Sequence, residues 1–236
     1  MRSTNVRIVS FSGIDGAGKS TQINELLRSL QNAGYKPELY TFWDNVVALS
    51  GLREHLSLRA FRGDSGVGRP DRPIARRDKN VASWPMTYVR LLLYLLDACS
   101  LRLLLWKRAR RASHLTVFDR YIYDELANLP LHNRLIRLYV RALLFLVPKP
   151  KCAFVLDAEP EAAYRRKPEY PLEFVRHNRD AYLRLGRMAG LKIVAAGTVD
   201  RTAETIRDDV FAKCLGWYVT STSSFPVSLG ISETQC

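Results

Sequence analysis

Apolar and polar positions alternate along this chain with two different spacings. Short runs rich in β-branched and aromatic residues predict strands, and longer segments with apolar residues three or four positions apart predict helices. The predicted strands are Val6–Ser12, Lys36–Phe42, Leu115–Phe118, Lys151–Asp157 and Leu191–Ala195. Strands that alternate with helices form a doubly wound parallel sheet. We therefore predict an α/β fold whose five-stranded parallel sheet is flanked by helices.

Helical patterns fill the segments between these strands. The predicted helices are Ser20–Ala33, Val46–Leu58, Trp84–Arg111, Tyr123–Leu129, Leu131–Leu146, Glu159–Lys167, Pro168–Gly186 and Arg201–Leu215. The third of these contains Leu91–Trp106, whose apolar character is typical of a membrane span. Asp97 and Arg102 interrupt that run, and it is shorter than the bilayer requires. We therefore predict a buried helix there and expect no membrane partner.

The turn after the first strand carries the clearest chemical signal. It reads Gly13-Ile14-Asp15-Gly16-Ala17-Gly18-Lys19-Ser20-Thr21 and fits the phosphate-binding P-loop pattern. Glycines let the backbone wrap around phosphate oxygens, while the amides and the helix N-terminus face the anion. Lys19 is expected to reach the β- and γ-phosphates, and the Ser20 hydroxyl to bind Mg2+. The alternative, a chance glycine-rich turn, does not explain the strand before it and the helix after it.

Acidic residues follow two further predicted strands. Asp119 comes directly after Leu115–Phe118, which is the usual setting for the second acidic group of a P-loop enzyme. Arg120 beside it offers a planar fork for a phosphate, although a surface salt bridge would explain the same pair. Asp44 follows the second strand and is either a site residue or the N-cap of the next helix.

Composition and charge narrow the class of partner. The 236 residues fit one α/β domain, and the net charge of +13 favours anionic partners such as nucleotides, nucleic acid or a membrane surface. General solubility explains the charge equally well. The segment Arg59–Ser83 is rich in glycine, proline and arginine. It is either a solvated linker or a flexible flap that folds over an anionic substrate.

The cysteines and the two ends of the chain suggest a compartment. The four cysteines are widely spaced and form no C-x-x-C pair, which argues against a zinc site and a disulfide framework. We expect reduced thiols of a cytoplasmic protein. We also expect no signal peptide, because the sequence enters the first predicted strand almost at once. The serine- and threonine-rich tail 220–236 is expected to be disordered.

With these pieces placed, the chain resembles thymidylate kinases over about Val6–Phe211. Four signatures carry the resemblance, in this order: Phe11-Ser12 with the P-loop; Phe118-Asp119-Arg120-Tyr121-Ile122-Tyr123; Pro148-Lys149-Pro150 with Phe154-Val155-Leu156-Asp157, Pro160-Glu161 and Arg165-Arg166; and the helix with Glu173, Arg176 and Tyr182. The P-loop alone is generic. The ordered set is typical of the nucleoside-monophosphate kinase branch.

That family phosphorylates dTMP with ATP and Mg2+, and the resemblance implies a role for each matching residue. Lys19 and Ser20 would hold the donor phosphates and the metal, and Asp15 would face the acceptor's sugar. Asp119 and Arg120 would position the acceptor phosphate and the metal. Arg165 and Arg166 would lie in the lid that closes over the transferring group. The lid would have to supply the arginine that some members carry in the P-loop, because that P-loop position is Gly16 here. The Gly197-Thr198 turn would lie near the donor base.

The resemblance also implies an organisation for the whole chain. Residues 1–219 would form one kinase domain, with the lid and its following helix at 159–186. A homodimer through the long apolar helix would be expected, although core burial explains that helix equally well. The small-molecule partners would be nucleotides. Nucleic acid is less favoured, because a simple binder would not need all of Asp15, Asp119, Arg120, Arg165 and Arg166.

The departures from the family pattern fall on the acceptor half. The family's Glu-Pro-Gly after the second strand is Trp43-Asp44-Asn45 here, and its arginine in the long helix lies where this chain has Leu96-Asp97-Ala98. Small hydroxyl residues and a later tyrosine are replaced by Asp124, Glu125 and Asn128. The acceptor could therefore be dTMP, another monophosphate, a nucleoside or a small phosphorylated metabolite. A binding module without transfer activity is the remaining alternative.

Overall fold

The structure, a computed structural model, describes residues 7–46, 84–109, 115–218 and 227–228. The main sheet contains β1 (Arg7–Ser12), β2 (Glu38–Thr41), β3 (Leu115–Asp119), β4 (Cys152–Asp157) and β5 (Lys192–Ala195). Its strand order is β2-β3-β1-β4-β5, and every neighbouring pair is parallel. The predicted five-stranded parallel sheet is therefore confirmed.

Helices connect and cover the strands. They are α1 (Lys19–Asn32), α2 (Phe42–Asn45), α3 (Trp84–Ala109), α4 (Ile122–Ala127), α5 (Arg134–Leu146), α6 (Pro160–Arg166), α7 (Leu172–Ala189) and α8 (Val199–Val210). A π-helical turn, Phe211–Leu215, continues α8. A short antiparallel pair then joins β6 (Trp217–Tyr218) to β7 (Val227–Ser228), so two residues of the predicted disordered tail take part in a ladder.

The core is centred on β1. Ile8, Val9, Ser10 and Phe11 are consecutive, and each is at most 3% exposed. Because successive side chains of a strand point to opposite faces, the sheet is covered on both sides. The ring of Phe11 packs against Phe154 of the neighbouring strand, with centroids 5.5 Å apart. This burial on both faces is what the doubly wound prediction requires.

Two helix ends differ from the predictions that glycine and proline suggested. The helix predicted at 168–186 begins at Leu172, after Pro171, and continues through Gly186 to Ala189. Gly190 ends it in the left-handed conformation, with φ of 66°. Gly186 lies inside the helix and faces the sheet, where an added Cβ would lie 3.5 Å from the Val155 side chain. It is a packing glycine and not a helix stop.

Capping explains other shifts in helix starts. The helix predicted from Leu131 begins at Arg134, because the Asn133 side chain accepts hydrogen bonds from the amides of Leu135 and Ile136. The last helix begins at Val199 instead of Arg201, since Thr198 caps it. β2 ends at Thr41, and the following residues form the single turn α2. Asp44 therefore lies inside this short helix, and the predicted helix that it would cap lies mostly outside the described residues.

The long helix α3 is buried on one face only. Tyr94, Ala98 and Leu101 pack into the core, whereas Leu92 is 60% exposed and Leu103 is 50% exposed. The prediction of a buried helix was therefore wrong for half of its surface. No helix in the described ranges has the length and apolarity to cross a bilayer.

Several predictions lie outside the described residues. These are most of the helix 46–58, the basic segment 59–83, the end of the long helix at 110–111, and the tail apart from 227–228. The three cysteines that the structure describes are free thiols. Two of them, Cys152 and Cys214, are buried in contact, with their Sγ atoms 3.8 Å apart.

Candidate phosphate-binding site

The pairing of β1 with β3 brings the two sequence motifs together. Phe11 lies opposite Asp119 in the register, and the Arg120 amide donates to the Phe11 carbonyl at 3.0 Å. The P-loop leaves β1 one residue after Phe11. Both motifs therefore lie at the carboxyl edge of the sheet, where ligands bind in open α/β folds.

Two P-loop glycines are required by neighbouring backbone. Gly13 has φ of 138°, and a Cβ on it would lie 2.7 Å from the Leu156 carbonyl oxygen of β4. Gly16 has φ of 80°, and a Cβ on it would collide with the Ala163 carbonyl oxygen of α6. The P-loop pattern predicts that the glycines allow close contact with phosphate. At these two positions the structure shows that the loop is packed directly against β4 and α6.

The third glycine lies at the open end of α1. A Cβ on Gly18 would meet no atom within 4 Å, although its φ of 88° also favours glycine. Gly18 is the N-cap of α1, where no described side chain accepts a capping hydrogen bond, and the first turn holds no acidic residue. Ser20 and Thr21 in that turn are exposed. The end of a 14-residue helix presented in this way suits an anion.

Lys19 is folded back onto the loop. Its Nζ donates to the carbonyl oxygens of Gly13 at 2.9 Å and Ile14 at 2.8 Å, and it lies 4.0 Å from Asp15. Burial, followed by the charge of Arg120, lowers the pKa of Lys19 to about 8. Asp119 acts in the opposite direction and raises this pKa, which places its carboxylate within electrostatic reach of the lysine.

Arg120 is the second cation of the site. Its backbone has φ of 67°, the one positive φ outside glycine in the described ranges. The guanidinium donates to Asp15 through Nη2 and, at 3.4 Å, to Asp124 through Nη1. Burial lowers the pKa of Arg120, but Tyr182, Asp124 and Asp15 outweigh that effect and raise it above its ordinary value. The side chain therefore stays charged.

Asp124 joins three parts of the chain, which are β1, the segment 120–124 and α7. Its carboxylate accepts from the Ser12 hydroxyl at 2.7 Å, the Tyr121 amide at 3.1 Å and the Tyr182 hydroxyl at 2.8 Å, in addition to Arg120. The residue is only 4% exposed. The sequence pattern marks Asp124 only as a departure from the family and does not indicate this network. An acidic residue in the first turn of a helix, three positions after the N-cap, was the available signal.

The helix α6 approaches the P-loop, but its arginine side chains do not bind there. Arg165 and Arg166 are exposed at its last turn, and Arg166 Nε donates to the Ala162 carbonyl of its own helix at 3.1 Å. Arg176 of α7 holds α6 from the other side, donating to Glu161 at 2.6 Å. The structure thus brings the predicted lid backbone to Gly16 and leaves both arginine heads in solvent.

The predicted donor-base turn lies against α1. The Gln22 side-chain amide donates to the Val199 carbonyl at 3.1 Å, directly after Gly197 and Thr198. The Thr198 hydroxyl accepts from the Arg201 amide and caps α8. The structure therefore places this turn beside the helix that begins at the P-loop.

Three carboxylates are buried in the half of the protein where the family pattern changes. Asp97 is 0% exposed, Asp124 is 4% exposed and Glu125 is 5% exposed. Asn128 donates from its side chain to the Asp124 carbonyl, so it completes α4. Asp44 is exposed on α2. Asp97, Asp124 and Glu125 therefore place three carboxyl groups in the interior of this half.

The described residues offer few side-chain donors for a metal ion. In the part of the chain that the structure describes, His, Cys, Asp and Glu side chains form no group of three or more that could hold a metal. Mg2+ in phosphoryl-transfer sites typically takes one or two protein oxygens together with phosphates and water. The Ser20 hydroxyl in the first turn of α1 and the Asp119 carboxylate at the end of β3 are donors of this kind.

Comparison with known proteins gives a relative that spans most of the chain. A protein of Aeropyrum pernix, named "Putative thymidylate kinase", is 28% identical over 221 residues. The match covers 87% of this chain and 94% of that protein. No protein-family model matches the chain. The chain is thus similar, at low identity, to a protein with that name.

The contact between Gly16 and α6 gives a prediction with a matched control. Gly16→Ala combines an unfavourable φ with a collision against the Ala163 carbonyl, so it should lower the free energy of unfolding by clearly more than about 1 kcal/mol. Gly34→Ala has a similar φ of 83° but no atom within 4 Å of the new Cβ. Urea denaturation of both variants measures the difference. Equal losses would show that α6 does not pack on the loop in solution.

Proposed function

We propose that this protein transfers a phosphoryl group from ATP to a nucleoside monophosphate, with dTMP as the first candidate acceptor. The observation that carries the proposal is the meeting of Lys19, the open N-terminus of α1 and Arg120 at one edge of the sheet. The similarity to a protein named as a thymidylate kinase supports the same class of reaction. The acceptor's identity rests on the resemblance.

Phosphoryl transfer depends on positioning and on cations around the spreading negative charge. Lys19 is cationic below a pH of about 8, and within the described part of the chain its Nζ contacts two neutral carbonyls and lies 4.0 Å from Asp15. A triphosphate at the α1 N-terminus would offer this ammonium a stronger anionic partner than those carbonyls. Arg120 would hold the acceptor phosphate from the β3 side.

The metal would be held by few protein groups. Ser20 and Asp119 would hold Mg2+ together with phosphate oxygens. When bound, the ion would neutralise charge on the donor phosphates. Asp15 would contribute to the site indirectly. Its carboxylate accepts a hydrogen bond from Arg120 and holds that guanidinium beside the P-loop.

The helix α6 would supply the remaining cations. Its backbone already touches Gly16, so a rotamer change would direct the heads of Arg165 or Arg166 towards the transferring group. An arginine at position 16 could not coexist with this packing, because even a Cβ collides with Ala163. A closed α6 also excludes water, which protects ATP from hydrolysis.

A panel of acceptors tests the proposal. The protein is assayed with Mg-ATP and each of the common ribo- and deoxyribonucleoside monophosphates and nucleosides, and product formation is followed. One monophosphate should stimulate turnover well above the acceptor-free rate. Lys19→Ala should lower kcat by about 100-fold or more, because one preorganised cation is lost. Arg120→Ala should mainly raise the KM for the acceptor.

Arg28→Ala is the matched control, since Arg28 pairs with Glu25 on the outer surface of α1. It should leave both constants unchanged. ATP turnover that is equal with and without every acceptor would contradict transfer to a nucleotide. Unchanged acceptor kinetics in Arg120→Ala would contradict the assignment of the acceptor phosphate to this residue.

The lowered pKa of Lys19 predicts a pH dependence of donor binding. The free protein loses this positive charge as the pH rises through about 8, whereas a bound triphosphate should keep the lysine protonated. Affinity for a non-hydrolysable ATP analogue should therefore be constant below that pH and fall by up to about tenfold per pH unit above it. Calorimetry in buffers of different ionisation enthalpy should detect proton uptake at high pH. Lys19→Arg should remove the uptake, because arginine does not titrate there.

We also propose that a second copy of the chain covers the exposed face of α3. The exposed apolar residues of that face are Val89, Leu92, Leu96, Leu103 and Trp106. Neighbouring members of this set lie three, four or seven positions apart, which follows the heptad pattern of helix pairs. Cys99 continues the same face and is exposed.

The α3 face gives a prediction of oligomeric state. Sedimentation velocity should show a dimer for the wild-type protein and a monomer for Leu92→Glu, because the substitution places a charge in the apolar seam. Leu39→Glu, at a residue that is 48% exposed on β2, is the control and should remain dimeric. A monomeric wild-type protein at concentrations used for crystallisation would contradict the proposed pairing.

A further inference from the structure

The carboxylate of Asp124 is divided between two sets of donors. Its Oδ2 atom accepts from the Ser12 hydroxyl at 2.7 Å and the Tyr121 amide at 3.1 Å. Its Oδ1 atom accepts from the Tyr182 hydroxyl at 2.8 Å and from Arg120 Nη1 at 3.4 Å. The first set fixes the carboxylate to β1 and to the start of α4. The second set contains a neutral donor and a cation that share one oxygen.

The two donors to Oδ1 are not equal. The tyrosine distance is that of a good hydrogen bond, whereas 3.4 Å lies beyond the usual range for a nitrogen donor. Burial, reinforced by the charge of Asp124, raises the pKa of Tyr182 well above its ordinary value. The hydroxyl therefore keeps its proton and donates it to Oδ1. Among the residues that the structure describes, Arg120 then has its firm partner in Asp15.

We propose that Tyr182 is a positioning residue for the acceptor, which rests on the proposed function of Arg120. By occupying Oδ1 of Asp124, the tyrosine prevents that carboxylate from clamping the guanidinium. Arg120 then has one face bound to Asp15 and another available for the phosphate of a nucleoside monophosphate. Without the hydroxyl, Oδ1 would draw Arg120 Nη1 into a short ion pair, and the phosphate would have to displace two carboxylates.

The placement of Tyr182 connects this effect to the lid. Tyr182 lies on α7, and α7 holds α6 through the ion pair between Arg176 and Glu161. The α6 backbone in turn touches Gly16 of the P-loop. Through α6, this pair of helices contacts the P-loop. Through Tyr182 of α7, it influences how tightly Asp124 holds Arg120, so the position of α7 affects both halves of the site.

Removing one oxygen tests the proposal. Tyr182→Phe should raise the dissociation constant of the acceptor monophosphate about fivefold, because one hydrogen bond typically changes an affinity by about that factor. The dissociation constant of the ATP analogue should not change. Tyr139→Phe is the control, because its hydroxyl donates to the Leu91 carbonyl away from Arg120. It should change neither constant. A loss shared equally by donor and acceptor would show a merely structural role and overturn the proposal.

A double-mutant cycle tests the route through Asp124. Asp124→Asn removes the charge that competes for Arg120 and leaves a side-chain amide that can still bond the Tyr121 amide and the Tyr182 hydroxyl. When Tyr182→Phe is added to this variant, it should no longer weaken acceptor binding, because nothing remains to clamp the arginine. A fivefold effect of Tyr182→Phe that persists alongside Asp124→Asn would overturn the proposal.

A readout without substrate separates this inference from the proposed function. Phenylglyoxal modifies arginines that are not tightly paired, and the Arg120 side chain is 23% exposed. Modification of Arg120, followed by peptide mass spectrometry, should be several-fold slower in Tyr182→Phe than in the wild type, with Arg28 as the internal reference. An unchanged rate would overturn the inference. If the wild-type protein binds no monophosphate, the proposed acceptor fails, while the modification rates still decide the role of Tyr182.

Discussion

The parallel pairing of β1 with β3 determines the site. It places the Arg120 amide on the Phe11 carbonyl, one residue before the P-loop departs. Without this register, Arg120 would not reach Asp15, and Asp119 would not lie within electrostatic reach of Lys19. The site therefore depends on strand pairing deep in the core. It also depends on the positive φ that Arg120 adopts directly after the strand.

The resting site is an arrangement of buried charges that satisfy one another. Lys19 and Arg120 lie among Asp15, Asp119 and Asp124, and a buried charge is tolerated only when it has partners. In the proposed function, phosphates would replace these carboxylates as partners of two side-chain cations that are already largely removed from water. The affinity for such a phosphate would then depend on the internal carboxylates that compete for the same cations.

The sequence was sufficient for the features that depend on local pattern. The strands, the P-loop and the acidic residue at the end of β3 follow from apolar runs and motif spacing, and the sheet confirms the fold. Helix ends were less predictable, because Gly186 packs against the sheet inside α7 without ending it and Pro171 delays the start of α7. The network of Asp124 could not be derived, since Ser12 and Tyr182 are 112 and 58 residues away from it in sequence. Likewise, the contact of Gly16 with Ala163 joins residues whose proximity only the folded chain creates.

The glycine inside α7 has a consequence for that network. Gly186 lies one helical turn after Tyr182, on the same side of the helix, and faces Val155 and Ile193 of the sheet. The space there accommodates no more than a methyl group. Position 186 therefore acts as a spacer that sets the height of α7 above β4 and β5. A bulkier residue at this position would move α7 away from the sheet and lengthen the distance between the Tyr182 hydroxyl and Asp124. A substitution in the core could therefore change ligand preference without altering any residue that contacts the ligand.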